Sequence, residues 1–220
     1  MPNLFDFGLV FRQIPTLLQA LPQTLLLTFV SMFAGLVLGI VLAIIKIHKV
    51  PVLSQITAVF VSFIRGTPLI VQLYLSYYGI PLALKYINYY NGTSYDVNFI
   101  PNIYYAFLAL FLNEAAYNSE TVRAAILSVD KGQIEAGHSL GMTGFQLLKR
   151  VIFPQAGLVA LPSLGNSLIS LLKGTSLVFV TGVVEITARG NILAGFNYRF
   201  FEVYICYYLL GFKLSYGTND

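Results

Sequence analysis

From Pro22 to Ile47 the chain carries no charged side chain before Lys46, and most of its residues are hydrocarbon. A helix of about 20 mainly apolar residues crosses the core of a bilayer. In lipid only a helix or a closed barrel satisfies its own backbone, so a run of this length admits few other folds. The chain offers four or five such stretches, which leaves no length for a separate soluble domain. Of its 220 residues 57% are hydrophobic and 10% charged, too little charge to cover a soluble domain of this size. The first run starts well inside the chain and exceeds a signal core in length, so it reads as a retained anchor.

The formal net charge of +4 does not indicate nucleic acid, because the basic residues are scattered among apolar segments without forming a face. Their use is orientation. Lys46, His48 and Lys49, followed by the breaker Pro51, place that end of the first span in the cytoplasm and the N-terminus outside. Pro2 to Ala20 mixes apolar side chains with Asp6, Arg12 and Gln13, and reads as an interfacial N-terminal segment (1–20) that Pro15 interrupts. Val52 to Tyr86 is apolar but cut by Arg65-Gly66-Thr67-Pro68, which either breaks a span beside a watery pathway or lies among headgroups. Tyr86 to Asn102, rich in Tyr, Asn and Gly, reads as an outer loop. A third span begins near Ile103, a fourth covers about Ala156 to Val184, and a fifth covers roughly Tyr198 to Phe212. Between the third and fourth, Leu127 to Arg150 is polar, and Lys131, Lys149 and Arg150 put it in the cytoplasm. Five spans bring the C-terminus inside.

Ionisable groups inside spans cost several kcal/mol unless they face a partner or a cavity, so each is a candidate site. Glu114 and Lys173 sit deepest. They can neutralise one another across the bundle or receive the two charged ends of a zwitterion. Asn113, Asn166, Ser167 and Ser170 can bond across helices or line the same path. Glu120 and Arg123 stand one turn apart and can pair. Gly35 and Gly39 form a GxxxG pattern suited to close helix packing within the subunit. His48 and His138 lack partners at ligand spacing, so no metal site is expected. No nucleophile stands beside a base, and Lys173-Gly174-Thr175-Ser176 has P-loop residue types in the wrong order, so neither catalysis nor ATP binding is expected of this chain.

The polar segment Glu135-Ala136-Gly137-His138-Ser139-Leu140-Gly141, with Val151-Ile152-Phe153-Pro154 downstream, resembles the Glu-Ala-Ala signature of permease subunits of bacterial ATP-binding-cassette (ABC) importers, in the polar amino-acid branch. The spacing of that signature is intact, with substitutions at Gly137, Val151 and Phe153. Phe63 to Pro68, Ala116-Tyr117 with Glu120, Arg123 and Gly132-Gln133, and Leu171 to Leu177 are also similar to this branch. The resemblance covers about Leu21 to Tyr207. It departs at Gly174, where many relatives carry an acid, and after Tyr207, where the end looks short and polar.

The resemblance implies an all-α membrane protein of about five transmembrane helices with the type I ABC importer transmembrane-domain fold. That domain would span 21–212, with a coupling loop at 128–154 and a tail at 213–220. Glu135, Ala136, Gly137, Gly141 and Pro154 would engage the ATPase, with Pro154 stopping the segment before the next span. Asn113, Glu114, Asn166, Ser170 and Lys173 would line the substrate path. Implied partners are two ABC ATPase subunits, a second permease subunit (the same or homologous), an extracellular substrate-binding protein, an amino acid substrate with cystine among the candidates, and the lipid bilayer. No cofactor is implied in this chain, because ATP and Mg would be held by the partner subunits. The site of action would be a bacterial cell membrane. The alternative reading is an ion-coupled carrier working without ATPases, with Glu114 as its ion site.

Overall fold

Helix is the only regular structure among the described residues. A computed structural model describes residues 5–96 and 99–216. The helices are α1 (Phe7–Leu18), α2 (Leu21–Ile47), α3 (Leu53–Gly66), α4 (Leu69–Asn91), α5 (Asn102–Leu127), α6 (Lys131–Ser139), α7 (Gly144–Leu147), α8 (Phe153–Gly174), α9 (Ile186–Asn197) and α10 (Phe200–Tyr216). A π-helical turn, Leu148–Ile152, joins α7 to α8, and a 3-10 segment, Thr175–Thr181, follows α8. Two stretches are long and apolar enough to cross a membrane, α2 and Gly144–Thr181, and α3 with α4 makes a third if taken as one broken span. With 26 residues, α5 has the length to cross as well. Its hydropathy is lowered by Glu114, Glu120 and Arg123.

The chain divides into two compact units. The first holds the described residues of Met1–Phe29, Leu69–Ala109 and Leu172–Asp220. Here α1 packs on α9 and α10 around Val10, Leu17 and Cys206. Asp6 caps α1 by accepting from the Leu9 amide (3.1 Å), and the helix then runs through Pro15 to Leu18. The expected interruption at Pro15 does not occur. A proline in a helix interior costs about 3 kcal/mol or more, and burial of the apolar Val10 and Leu17 offsets it. Thr24 of α2 accepts from the Ile186 amide (3.2 Å), tying the start of α9 to α2. Buried Glu185 caps α9 from the amides of Ala188 (2.7 Å) and Thr187 (2.9 Å).

One expectation in this unit is corrected. The outer loop does not begin at Tyr86, because α4 continues to Asn91 and ends at Gly92, whose φ of +63° suits a glycine after a helix. Asn88 then folds the loop back, donating to the Tyr95 carbonyl (2.7 Å) and accepting from Thr93 Oγ1 (2.9 Å) and the Tyr95 amide (3.0 Å). The segment between the fourth and fifth expected spans, for which the sequence predicts no element, is the helix α9. The expected tail 213–220 overlaps the end of α10, and 217–220 lie outside the described residues, as do 1–4 of the N-terminal segment.

The second unit comprises Val30–Pro68 and Leu110–Leu171. Its α2 and α5 portions pack where Gly35 and Gly39 bring them together. A Cβ at Gly39 would sit 3.1 Å from Ala115 O, Asn118 Cβ and Ser119 N, tighter than ordinary packing, so glycine favours this approach. The break at Arg65–Pro68 is real: α3 ends at Gly66 and Thr67 is extended. Thr67 Oγ1 satisfies the carbonyls the break leaves open, donating to Phe63 O (3.0 Å) and Ile64 O (3.4 Å). Arg65 lies over the Tyr117 ring, 5.3 Å from its centroid. Facing outward along α2 are Phe33, Val37, Val41 and Ile44, a stripe suited to lipid.

Candidate functional site

In the second unit, the polar segment Leu127 to Arg150 contains the two short helices α6 and α7. Asp130 caps α6, its carboxylate accepting from the Gln133 amide (3.2 Å). The far end closes with the Gly141 amide on His138 O (2.9 Å) and the Met142 amide on Gly137 O (3.1 Å), the Schellman pattern, in which Gly141 holds a φ of +72°. A capping box then starts α7. Thr143 Oγ1 accepts from the Gln146 amide (3.3 Å), and Gln146 Oε1 accepts from the Thr143 amide (2.9 Å).

Gly137 is the one buried residue of α6. A Cβ there would collide with the Leu147 side chain, so glycine lets α6 lie close on α7. Glu135, Ala136 and Gly141 are exposed, and Leu140 (81% exposed) and Phe145 (73%) stand out with them. Below, Ile134 of α6 and Ile152 of the π turn pack on Ala125, Val129, Ala156 and Ala160, and Gln155 donates to Gln133. The segment is therefore held firmly from one side and presents a mixed acidic and apolar face on the other. That combination suits a protein partner, whose contact centres are apolar and whose rims are polar.

Pro154 does not stop the segment. It lies inside α8, and the helix continues past it because the π turn comes first, with the Phe153 amide donating to Leu148 O. A widened turn gives the proline ring room that a regular turn lacks.

The interior polar residues are only partly brought together. In the second unit Glu114 is buried, and its Oε2 accepts from Ser167 Oγ (3.2 Å) and Asn118 Nδ2 (3.3 Å). Asn113 is half-buried, while Asn166 and Ser170 are exposed on α8. Lys173 is exposed and belongs to the first unit. Glu120 is the more connected acid. Arg123 donates to its Oε2 from Nε (2.9 Å) and Nη2 (2.7 Å), and Lys46 of α2 donates to its Oε1. No group of His, Cys, Asp or Glu suited to a metal occurs among the described residues.

Sequence reasoning missed the exposed Leu140 and Phe145 and the Lys46 partner of Glu120. The Thr143-x-x-Gln146 capping pair could have revealed the second helix, because it puts Phe145 in a first turn and not in a loop.

Residues 35–216 match the family described as the inner membrane component of binding-protein-dependent transport systems. The chain is 41% identical to "Probable amino-acid ABC transporter permease protein PatM" of Vibrio harveyi, over 94% of this chain and 88% of that protein. It is 38% identical to "L-cystine transport system permease protein TcyL" of Bacillus subtilis (strain 168), over 93% and 83%. A crystal structure of an amino acid ABC transporter with histidines superposes with a TM-score of 0.78 at 34% identity, covering 96% of this chain and 94% of that one. These matches carry the type I ABC importer fold and a membrane location, and they lend no support to an ion-coupled carrier. The chain belongs to the family of inner membrane components of binding-protein-dependent ABC transport systems.

Proposed function

We propose that the chain is the permease subunit of an ATP-driven amino acid uptake system, with cystine the first substrate to try. Support for the substrate class comes from the names of PatM and TcyL. Support for energy coupling comes from α6 and α7, where Glu135, Ala136 and Gly141 face outward above the buried Gly137. That braced, exposed face is the observation that carries the reading. In this reading two ATPase subunits hold ATP and Mg, dock on the segments of two permease subunits, and are driven closed by ATP. The chain itself holds no nucleotide and no cofactor. A substrate-binding protein delivers the amino acid at the outer face. Asn113, Glu114, Asn166, Ser170 and Lys173 remain the proposed path residues, with Glu114 oriented by Ser167 and Asn118.

The test is reconstitution with the ATPase and the binding protein, followed by labelled cystine uptake with and without an ionophore. Uptake should need ATP inside and the binding protein outside, and should survive the ionophore. ATP-independent uptake abolished by the ionophore would reject the reading.

A further inference from the structure

The second unit contains a cleft of about 430 Å³ that no coupling or substrate role explains. It is formed by the last turn of α2, the connection to α3 and the inner end of α5. Lys46, Lys49 and Arg123 line it, with Ser54 and Gln55 adding a hydroxyl and an amide. Glu120 is the acid beside them, and both its oxygens are occupied, one by Lys46 and the other by Arg123. Three cations against one acid leave a formal excess of two positive charges. The wall between α2 and α3 is held in conformations that side chains rarely adopt. Lys49 has φ +48°, and Val52 has φ +65° at the centre of a tight turn closed by the Leu53 amide on Pro51 O (2.7 Å).

The lining selects among ligands. An amino acid needs an acid for its ammonium group, and Glu120 is already committed. A nucleotide base needs an aromatic platform, and the lining has none. A phosphate group matches the convergent cations and the hydroxyl, and the volume accommodates more than a bare ion. The position fits too, because basic pockets between helix ends on the cytoplasmic side hold anionic headgroups. We propose that this cleft is a phosphate-ester site, taking a monoanionic phosphodiester or phosphomonoester, with an anionic lipid of the inner leaflet or a soluble phosphate ester as the source.

The experiment is native mass spectrometry of the purified permease–ATPase complex with phosphatidylglycerol or with phosphatidylcholine of the same acyl chains. Phosphatidylglycerol should be retained in preference, and Lys49→Asn should weaken retention about fivefold, the effect of one surface cation. Asparagine tolerates the left-handed backbone at this position, so the variant removes charge without breaking the turn. Lys49→Arg should keep retention, and Lys85→Asn, an exposed cation on α4, should not change it. Displacement of the lipid by added glycerol phosphate, lost in Lys49→Asn, supports the site and assigns it to a soluble ester. Failure of glycerol phosphate to displace it, with the Lys49 dependence intact, supports the site and assigns it to the lipid. No preference between the lipids, or equal losses in Lys49→Asn and Lys85→Asn, overturns the proposal. So does detachment of the ATPase by Lys49→Asn with lipid retention unchanged, since the cleft would then be a protein contact.

Discussion

Gly35→Ala probes the packing of α2 on α5 with the smallest possible change. A Cβ at Gly35 would lie 2.5 Å from Glu114 Cβ, 3.1 Å from Phe111 O and 3.2 Å from Ala115 N. None of these can swing away, because two are backbone atoms and the third is fixed to it. Carbon atoms pack at roughly 3.5–4.0 Å, so the helices have to part by about 1 Å. Overpacking of this kind costs about 1–3 kcal/mol, while the exchange itself gains about 1 kcal/mol of helix propensity. The expected net is a loss of about 1 kcal/mol. Gly79→Ala on α4 meets nothing within 4 Å and keeps only the gain. The two variants should therefore differ by about 2 kcal/mol with opposite signs. For a chain of this length that separates their melting midpoints by roughly 4–8 °C. The assay is thermal unfolding of both variants purified in one detergent. A Gly35→Ala midpoint at or above that of Gly79→Ala would refute the close approach.

Gly137→Val should displace Leu147 and tilt α6 off α7, so that the chain still inserts but co-purifies with little ATPase, as read on a pull-down from membranes. Gly141→Asp should likewise release the ATPase while leaving insertion intact, since an added Cβ meets no atom within 4 Å and the φ of +72° strains a side chain only at this turn; retained transport would count against this surface as the docking face. Glu120→Gln removes the charge that joins Lys46 to Arg123. These side chains are only partly buried, at 20–36% exposure, so the expected loss is about 1 kcal/mol, and the wild-type advantage should shrink in high salt. Asn88→Ala unties the loop at Thr93 and Tyr95, and should speed protease cleavage there in intact vesicles without lowering the melting midpoint.

Much of the fold could be read from residue types that have one physical meaning in lipid. The uncharged run up to Lys46 could only be a helix, and Gly66 with Pro68 could hardly continue one. Gly35 and Gly39 marked a close packing face, and the structure puts α5 against it. The misreadings share a cause, which is tertiary packing overriding a local signal. Pro15 and Pro154 both sit inside helices, one held by a buried face and the other relieved by a widened turn. For α9 the local signal was weak, because its cap is the long side chain of Glu185 and its C-terminal left-handed residue is Tyr198, neither of which is a usual helix boundary. For the site, glycines 137 and 141 were legible as positions of close approach and turning. The outward faces of Leu140 and Phe145 were not, since pattern alone does not reveal which side of a helix end or of a four-residue helix is covered.

The π turn at Leu148–Ile152 sets a phase. One residue more than a regular turn requires lies between the exposed face of α6 and α7 and the side chains of α8. Were the same residues wound as an ordinary helix with none removed, α8 would be turned by up to about 100° relative to the segment before it, the angle one residue occupies. Ser167, which now reaches Glu114, would point elsewhere. The widened turn thus absorbs the extra residue and fixes which side of α8 looks inward for a given orientation of the docking face. Removing a single residue at this turn, Lys149 for instance, would give an ordinary helix with the two still nearly in phase, whereas removing one from the regular turns of α8 would put the face and the interior out of register.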